Sequence, residues 1–363
     1  MTRRPVTRPT LIPGLPRLWR SPSQLQLGID TAHATVVDLP HPQLGRLISL
    51  LDGRLSEAAI CREGARWGIP AAVALDLIDA MARTGLLMSG NALLPGHVPE
   101  PARRRLTTEA AALALADGQP NPANLLRRRA AARITVVGAG RIAGPLLAGL
   151  AEAGIGHLDP APGRIQPDEV FAGLVRLAHV GRPRRDVMEQ LIRNVAPETV
   201  IRPVRAGEAP LVIHLGLDSP PELVALGHRR HRRAHLTVTG RDATIVVGPL
   251  LPPAGRPCLN CLELHRYDRD PHWPQLTDQL SGHTGEAANA ATVLAAAAQA
   301  VETVTSFIDR RANHAFGESI EIGRGPGHRR RWTAHPRCGC AERIADHRRR
   351  GGQQPPTSVT IKQ

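Results

Sequence analysis

The sequence predicts two modules, a small α+β module followed by a larger α/β module, and three observations carry that prediction. At 363 residues the chain is long enough to bury two cores of ordinary size. An apolar stretch, Ile134 to Val137, runs directly into Gly138-Ala139-Gly140-Arg141-Ile142-Ala143-Gly144, so a strand, a glycine-rich turn and a helix follow one another as an α/β unit requires. Upstream, Leu18 to Leu94 reads as two short strands and three amphipathic helices, a pattern complete in itself.

Residues 1–17, rich in Arg and Pro, are expected to be a flexible N-terminal segment, and residues 18–94 the small module. Leu25 to Ile29 and Ala34 to Asp38 alternate around a short polar turn and predict a hairpin. Gln43 to Leu51 is the first helix, with Leu44, Leu47, Ile48 and Leu51 on one face and Asp52-Gly53 closing it. Ser56 can cap the second helix, which ends near Gly68. The third has Pro70 at its first position, Val73, Leu77, Ile78 and Met81 on one face, and Gly85 at its end. Strands followed by three helices make a winged-helix-like α+β unit. A DNA-reading helix should be basic, yet Asp76 and Asp79 outweigh Arg83 here.

The strand Leu25-Gln26-Leu27-Gly28, the helix end Leu50-Leu51-Asp52-Gly53 and the ending Thr84-Gly85-Leu86-Leu87 resemble the PqqD-like peptide-recognition domains of ribosomal-peptide biosynthesis. The resemblance implies that a precursor's leader peptide adds a strand beside Ala34, Val36 and Asp38 and packs apolar side chains on Val73, Leu77, Ile78 and Met81. Unpaired backbone at the edge would provide affinity, and the apolar groove selectivity.

Residues 95–132, rich in Pro, Arg and Ala, read as a linker with one adapter helix, Thr108 to Ala116. The α/β module then occupies residues 133–345, with further strands at Leu211 to Leu215 and Ala243 to Val247 and a long helix near Gly285 to Asp309. Residues 346–363, rich in Arg, Gly and Gln, are expected to be disordered. Met1 to Arg20 has no apolar core, and the apolar run Ala287 to Val301 contains Asn289 and Gln299 and is short for a bilayer. Neither suggests an export signal or membrane anchor, so a cytoplasmic location is expected.

The formal charge of +14 raises nucleic acid as a partner. Lys362 is the only lysine, however, and the runs Arg103 to Arg105, Arg127 to Arg129 and Arg348 to Arg350 lie in expected linkers and tails, where they read as solvated charge. An aromatic content of 2% leaves little for base stacking. Nucleic acid is therefore the least favoured partner, and a DNA-binding regulator the third functional reading.

Gly138, Gly140 and Gly144 stand where a strand opens into a helix, the setting in which glycines admit a phosphate to a helix N-terminus. Asp159 follows at about the distance of a ribose-binding acid. Together with Ala153-Gly154-Ile155-Gly156-His157-Leu158 and the later paired cysteines, these motifs resemble the ThiF family of adenylating proteins from Ile134 to Cys340. The resemblance implies a Rossmann-like, ThiF-type domain binding ATP and magnesium, with Asp218 at the magnesium-binding position. In the family's register Pro162, not an acid, falls at the ribose position. The family's Gly-x-x-Lys becomes Gly181-Arg182-Pro183-Arg184, and only Arg176 is left as a remnant of its Arg-Gln segment. A working ATP site and a degenerate one kept as scaffold both remain open, because glycines also serve helix–sheet packing.

Cys258-Leu259-Asn260-Cys261 and Cys338-Gly339-Cys340 are two short-spaced pairs far apart in sequence. Four thiolates suit a closed tetrahedral zinc site that staples the domain; four buried thiols without metal are the alternative. Cys61 reads as a buried structural thiol. That leaves no cysteine in the large module for a thioester. His228, His231 and His335 read as solvated or as supports of the cysteine pairs.

The segment from Gly248-Pro249-Leu250 through Cys261-Leu262-Glu263-Leu264, continued by Arg266 to Leu280, resembles ThiF-like partner proteins of azole-forming cyclodehydratases. That resemblance implies a leader-peptide-binding accessory protein that presents a thiazole- or oxazole-type precursor to a YcaO-type cyclodehydratase. ThiF-type folds also commonly form homodimers. The alternative is an active adenylyltransferase acting on a peptide or protein carboxylate.

Overall fold

The computed structural model describes residues 5–340 except 31–33, 42, 117, 119, 172, 206, 217–223, 225–226, 229, 232, 254, 281–286 and 312–315. The chain divides into two compact units, Met1–Ala130 with Glu152–Gly154, and Ala131–Ala151 with Ile155–Gln363.

In the first unit β1 (Pro9–Leu11) lies in the segment expected to be flexible and pairs antiparallel with β5 (Leu87–Ser89). Its three residues are buried, and Thr10 lies over Gly53, where a Cβ would come within 2.5 Å of the Thr10 hydroxyl. The expected hairpin is the pair β3 (Gln24–Leu27) and β4 (Thr35–Asp38), joined on the far side of β3 by β2 (Arg17–Ser21). Ala34 stops short of β4, and its N–H donates to the Asp30 carbonyl. β2 is mostly exposed, which is why an apolar alternation does not reveal it.

Three helices follow, α1 (Leu44–Ser49), α2 (Glu57–Arg66) and α3 (Ala71–Arg83). Ser56 caps α2 as expected, accepting from the Ala59 N–H at 3.3 Å. Pro70 is the N-cap of α3, one position before its expected place. Leu44, Leu47, Ile48, Ile60, Leu77, Ile78 and Met81 close on one another in a single core with Leu25 and Leu27. Cys61 packs partly buried against it.

The short helix α4 (Gly90–Leu93) is followed by two helices where a linker is expected. Helix α5 (Glu100–Ala116) is twice the length of the expected adapter helix, and α6 (Pro122–Ala131) carries the second arginine run. Their inward faces, Ala102, Leu106, Ala110, Leu113, Leu125 and Leu126, form a second core with Ile12 and Met88. Arg129 belongs to that interior: it is 2% exposed, donates to the Ala153 carbonyl at 3.0 Å and pairs with Glu109.

The second unit is built on an eight-stranded sheet with the order β13-β12-β11-β10-β9-β6-β7-β8. β6 (Arg133–Val137), β7 (His157–Asp159), β8 (Val200–Ile201), β9 (Leu211–Leu215) and β10 (Ala234–Arg241) are parallel, whereas β11 (Thr244–Leu251), β12 (Glu318–Ile322) and β13 (His328–Arg331) continue the sheet antiparallel. Helices α7 (Ala143–Glu152), α8 (Arg184–Val195), α9 (Leu259–Tyr267), α10 (Trp273–Leu280) and α11 (Ala290–Asp309) complete it. All five residues of β9 are buried, as expected of a central parallel strand covered on both faces.

Among the described residues α11 alone is long and apolar enough to cross a membrane by length and composition, with a mean hydropathy of 1.4. It extends eight residues past the expected apolar run, from an Asn289 cap to Asp309. It lies against β11 and β12 and buries Val293, Ala296, Ala297, Ala300 and Val304 in the core of the sheet.

Candidate functional site

In parallel α/β sheets a ligand crevice opens at the carboxyl ends of strands where the strand order reverses. Here β6 lies between β7 and β9, so the crevice falls after Val137 and Leu215. Gly138 leaves β6 at φ +89°, and a Cβ there would sit 2.1 Å from the Leu215 carbonyl oxygen, so the turn demands glycine whether or not a ligand binds. Gly140 also has a positive φ, and Gly144 packs in α7, where a Cβ would meet Val175 at 3.3 Å. Arg141, between them, donates to the Ala288 carbonyl at 2.7 Å and lies over the Phe171 ring.

Arg184 does not reach into this crevice as a phosphate ligand. It is 6% exposed, and all five of its N–H donors have an acceptor within the fold. Nε and Nη2 grip the two carboxylate oxygens of Glu169 at 2.9 and 2.7 Å. Nη1 donates to the carbonyls of Ala161 and Pro162, and Nη2 also to that of Arg164. The guanidinium thereby clamps the loop that follows β7, and Glu169, 1% exposed, neutralises it. The sequence position suggests a displaced lysine; the geometry is that of a buried brace.

Asp159 is similarly committed. One carboxylate oxygen accepts from the Val204 N–H at 3.0 Å, and the other faces Arg185 at 3.6 Å. Asp218 lies outside the described residues. Arg176 pairs with His179 in a short 3-10 turn. Of the residues expected around ATP, the described ones therefore form the glycine turn and an internal brace, not a converging set of free charges.

The four cysteines do converge. Cys258 caps α9 and Cys261 lies in its first turn, while Cys338 and Cys340 follow β13. Their sulfurs lie within 4.8 Å of one another, with Cys258 3.7 Å from both Cys261 and Cys338, and Cys261 3.6 Å from Cys340. A tetrahedron of ~2.3 Å zinc–sulfur bonds has edges of about 3.8 Å, so the cluster could hold a structural metal such as zinc. Asn260 Nδ2 donates to the Cys338 sulfur at 3.3 Å, the kind of contact that stabilises a thiolate. Burial, reinforced by the neighbouring thiols, pushes Cys340 up to about 12. His335 supports the region from the side: Nε2 donates to Asp268 at 2.7 Å, and Nδ1 accepts from the Arg337 N–H. The one-residue spacing of the second pair is thus no obstacle to closing the set.

Three histidines come together, and one of them, His228, lies in a basic run whose sequence suggests a solvated side chain. His214 of β9, His228 and His235 of β10 are all buried, with His214 Nε2 2.7 Å from His228 Nε2 and the rings of His228 and His235 stacked at 4.3 Å. Burial holds His214 down at about 4 and His228 at about 3, and lowers His235 well below its ordinary value; the charge of Arg233 adds to the shifts of His214 and His228. These imidazoles are neutral in the folded chain but titrate normally when it unfolds. Acid therefore favours unfolding, with stability whole above about 6.5 and falling as the pH drops toward about 4. His214 alone should cost roughly 2 kcal/mol at pH 5. Thermal melts from pH 7.5 to 5 should show a steep loss that is shallower in His235→Leu; an unchanged slope would contradict the assignment.

The expected peptide face is only partly available. Leu77, Ile78 and Met81 are 7%, 0% and 1% exposed and fill the first unit's own core, so an incoming side chain cannot reach them. A helix with one apolar stripe looks the same in sequence whether the stripe meets a core or a guest. Val36, 40% exposed on β4, remains accessible, as does part of Val73, and Asp38 accepts from the Gln24 amide nitrogen Nε2 at 2.8 Å. β4 is an edge of the three-stranded sheet, paired only with β3 among the described residues.

No protein-family model and no curated protein matches the chain. Solved structures do. Escherichia coli MccB bound to ATP superposes with a TM-score of 0.62 at 16% identity, covering 92% of this chain and 99% of that one. The microcin C7 biosynthetic enzyme MccB in complex with N-formylated MccA gives 0.62 at 15% identity with the same coverage. PaaA gives 0.60 at 14% identity, covering 88% of this chain and 98% of that one. At these identities the likeness establishes architecture: the chain has the α/β fold of MccB, and the correspondence extends over nearly the full length of both proteins.

Proposed function

We propose that this chain is a leader-peptide-binding, ThiF-like accessory protein of ribosomal peptide modification, in which a PqqD-like, winged-helix-like N-terminal domain takes the precursor and the α/β unit acts as scaffold. The observation that carries this reading is Arg184, whose five donors are all satisfied by Glu169 and three backbone carbonyls. A charge spent inside the fold cannot also hold a phosphate. The open edge of β4 and the exposed Val36 support the peptide-binding half, as does the likeness to MccB solved with MccA. The proposed partner for the chemistry is a YcaO-type cyclodehydratase in the cytoplasm, with a homodimer as the proposed assembly and zinc as the proposed structural metal at Cys258, Cys261, Cys338 and Cys340.

A strand added to β4 would draw its affinity from backbone pairing and its selectivity from the side chains beside it. Val36→Glu puts a charge at that edge and should weaken capture of a fluorescently labelled leader peptide about tenfold, ~1.4 kcal/mol, without changing the circular dichroism spectrum. The peptide would be taken from the precursor encoded beside this chain. Equal affinity for the folded variant and the wild type would remove β4 as the docking edge.

A second reading is an active adenylyltransferase. It is favoured by the likeness to MccB solved with ATP and by the retained turn at Gly138 and Gly140, with Asp218 as its magnesium ligand.

A further inference from the structure

A cavity of about 330 Å³ opens in the second unit between α9 and the antiparallel end of the sheet. Five arginines line it, Arg241 at the end of β10, Arg266 in the last turn of α9, Arg269 just beyond that helix, and Arg329 and Arg330 of β13, together with Trp332. Glu321 is the one carboxylate in the lining, so five fixed positive charges face a single negative one.

An edge strand is commonly blunted with exposed charge, and that accounts for a run of arginine on β13. It does not account for guanidiniums converging from β10 and α9 on the same small space. Nor does their pairing: Glu263 takes Nη1 of Arg266 at 2.6 Å, but Nε of Arg266 is buried without an acceptor. Burial also lowers the pKa of Arg266 from its ordinary value, the mark of a guanidinium short of compensating charge. Arg241, Arg269 and Arg330 have no carboxylate partner among the described residues.

The arginines are also held in place. Trp332 Nε1 donates to the Ser319 hydroxyl at 3.0 Å, fixing the indole, and Arg330 lies over its ring at 3.9 Å, with Arg266 and Arg269 at 5.8 and 6.0 Å. Stacking orders planar guanidiniums before any ligand arrives, which lowers the entropy lost on binding. Ordered forks of N–H donors match the oxygens of a phosphoryl group better than those of a neutral ligand. The volume is that of a small-molecule site and not of a groove for a helix or duplex.

We propose that this arginine-lined cavity binds a phosphoryl or pyrophosphoryl group of a small molecule, at a place separate from the glycine turn after β6. The probe is inorganic pyrophosphate, titrated calorimetrically into the full chain at fixed ionic strength with chloride as the competing anion. One site per chain is expected, with affinity falling at least tenfold in Arg266→Gln and in Arg269→Gln. Arg269 is exposed, so its replacement tests the site without disturbing a core; thermal melts check both variants. Arg54→Gln, whose side chain is 87% exposed in the first unit, should leave affinity unchanged. Equal weakening in all three variants would reduce the effect to the chain's overall charge and overturn the site. Binding untouched by Arg269→Gln would put the anion elsewhere, at the glycine turn included, with the same consequence. Duplex DNA that binds more tightly than pyrophosphate and is lost in the same variants would overturn the small-molecule assignment.

Discussion

Replacing Cys338 with serine should strip metal from the purified chain and lower the melting temperature of the α/β unit by on the order of 10 °C. Three of the sulfur pairs already stand 3.6 to 3.7 Å apart and all four sulfurs lie within 4.8 Å, joining the start of α9 to the segment after β13 across about eighty residues. Without metal, burial and the neighbouring thiols hold the proton on Cys340, whose pKa is pushed up to about 12, while the hydrogen bond from Cys258 lowers Cys261 to about 4. Metal binding replaces the protons and ties the two segments together, so its free energy becomes folding free energy. The main core of the unit, built from β6, β9, β11 and α11, does not include the cysteines, so the variant should still fold at low temperature. Metal content by mass spectrometry should be about one zinc per wild-type chain and near none in the variant. Cys61→Ser should behave as wild type. A zinc-free wild-type preparation whose melting is indifferent to chelator would remove the staple from the account.

Arg184→Lys should destabilise the α/β unit by about 3 kcal/mol and confer no nucleotide affinity. Lysine keeps the charge but offers three donors from one nitrogen, so it cannot grip both oxygens of Glu169 and also reach the carbonyls of Ala161, Pro162 and Arg164. The Glu169 carboxylate, 1% exposed, would be left poorly compensated. If Arg184 were instead a displaced phosphate ligand, restoring a lysine would leave stability unchanged and strengthen ATP binding. Differential scanning calorimetry and ATP titration on the same variant separate the two, since a brace moves only the first.

Several features of this molecule are readable from residue type and spacing. The paired cysteines signal a cluster because both pairs are short-spaced and far apart, and the Ser56 cap because its hydroxyl precedes an apolar helical run. The glycine turn is readable too, although Gly138 proves to be required by the Leu215 carbonyl whatever binds nearby. Other features are hidden for physical reasons. Helix α5 buries mostly alanine, and α6 buries Arg129 beside Leu125 and Leu126, so their apolar stripes are faint and the arginine runs look like solvated linker. β10 follows a basic, histidine-rich stretch that masks the start of a strand whose first five residues are buried. An arginine's sequence position does not reveal whether its donors are free, and this separates the expectation for Arg184 from its place in the fold. The same limit applies to Leu77, Ile78 and Met81, whose periodicity marks an apolar face without saying what covers it.

The central claim is that the α/β unit serves as scaffold and does not adenylate. The most direct test is ATP–pyrophosphate exchange by the full chain with magnesium, in the presence of a candidate precursor peptide shown to bind the chain. A scaffold should bind the peptide while exchange stays at the level of a no-enzyme control. Exchange that depends on the peptide and disappears in Asp218→Ala would contradict it and identify the chain as an adenylyltransferase.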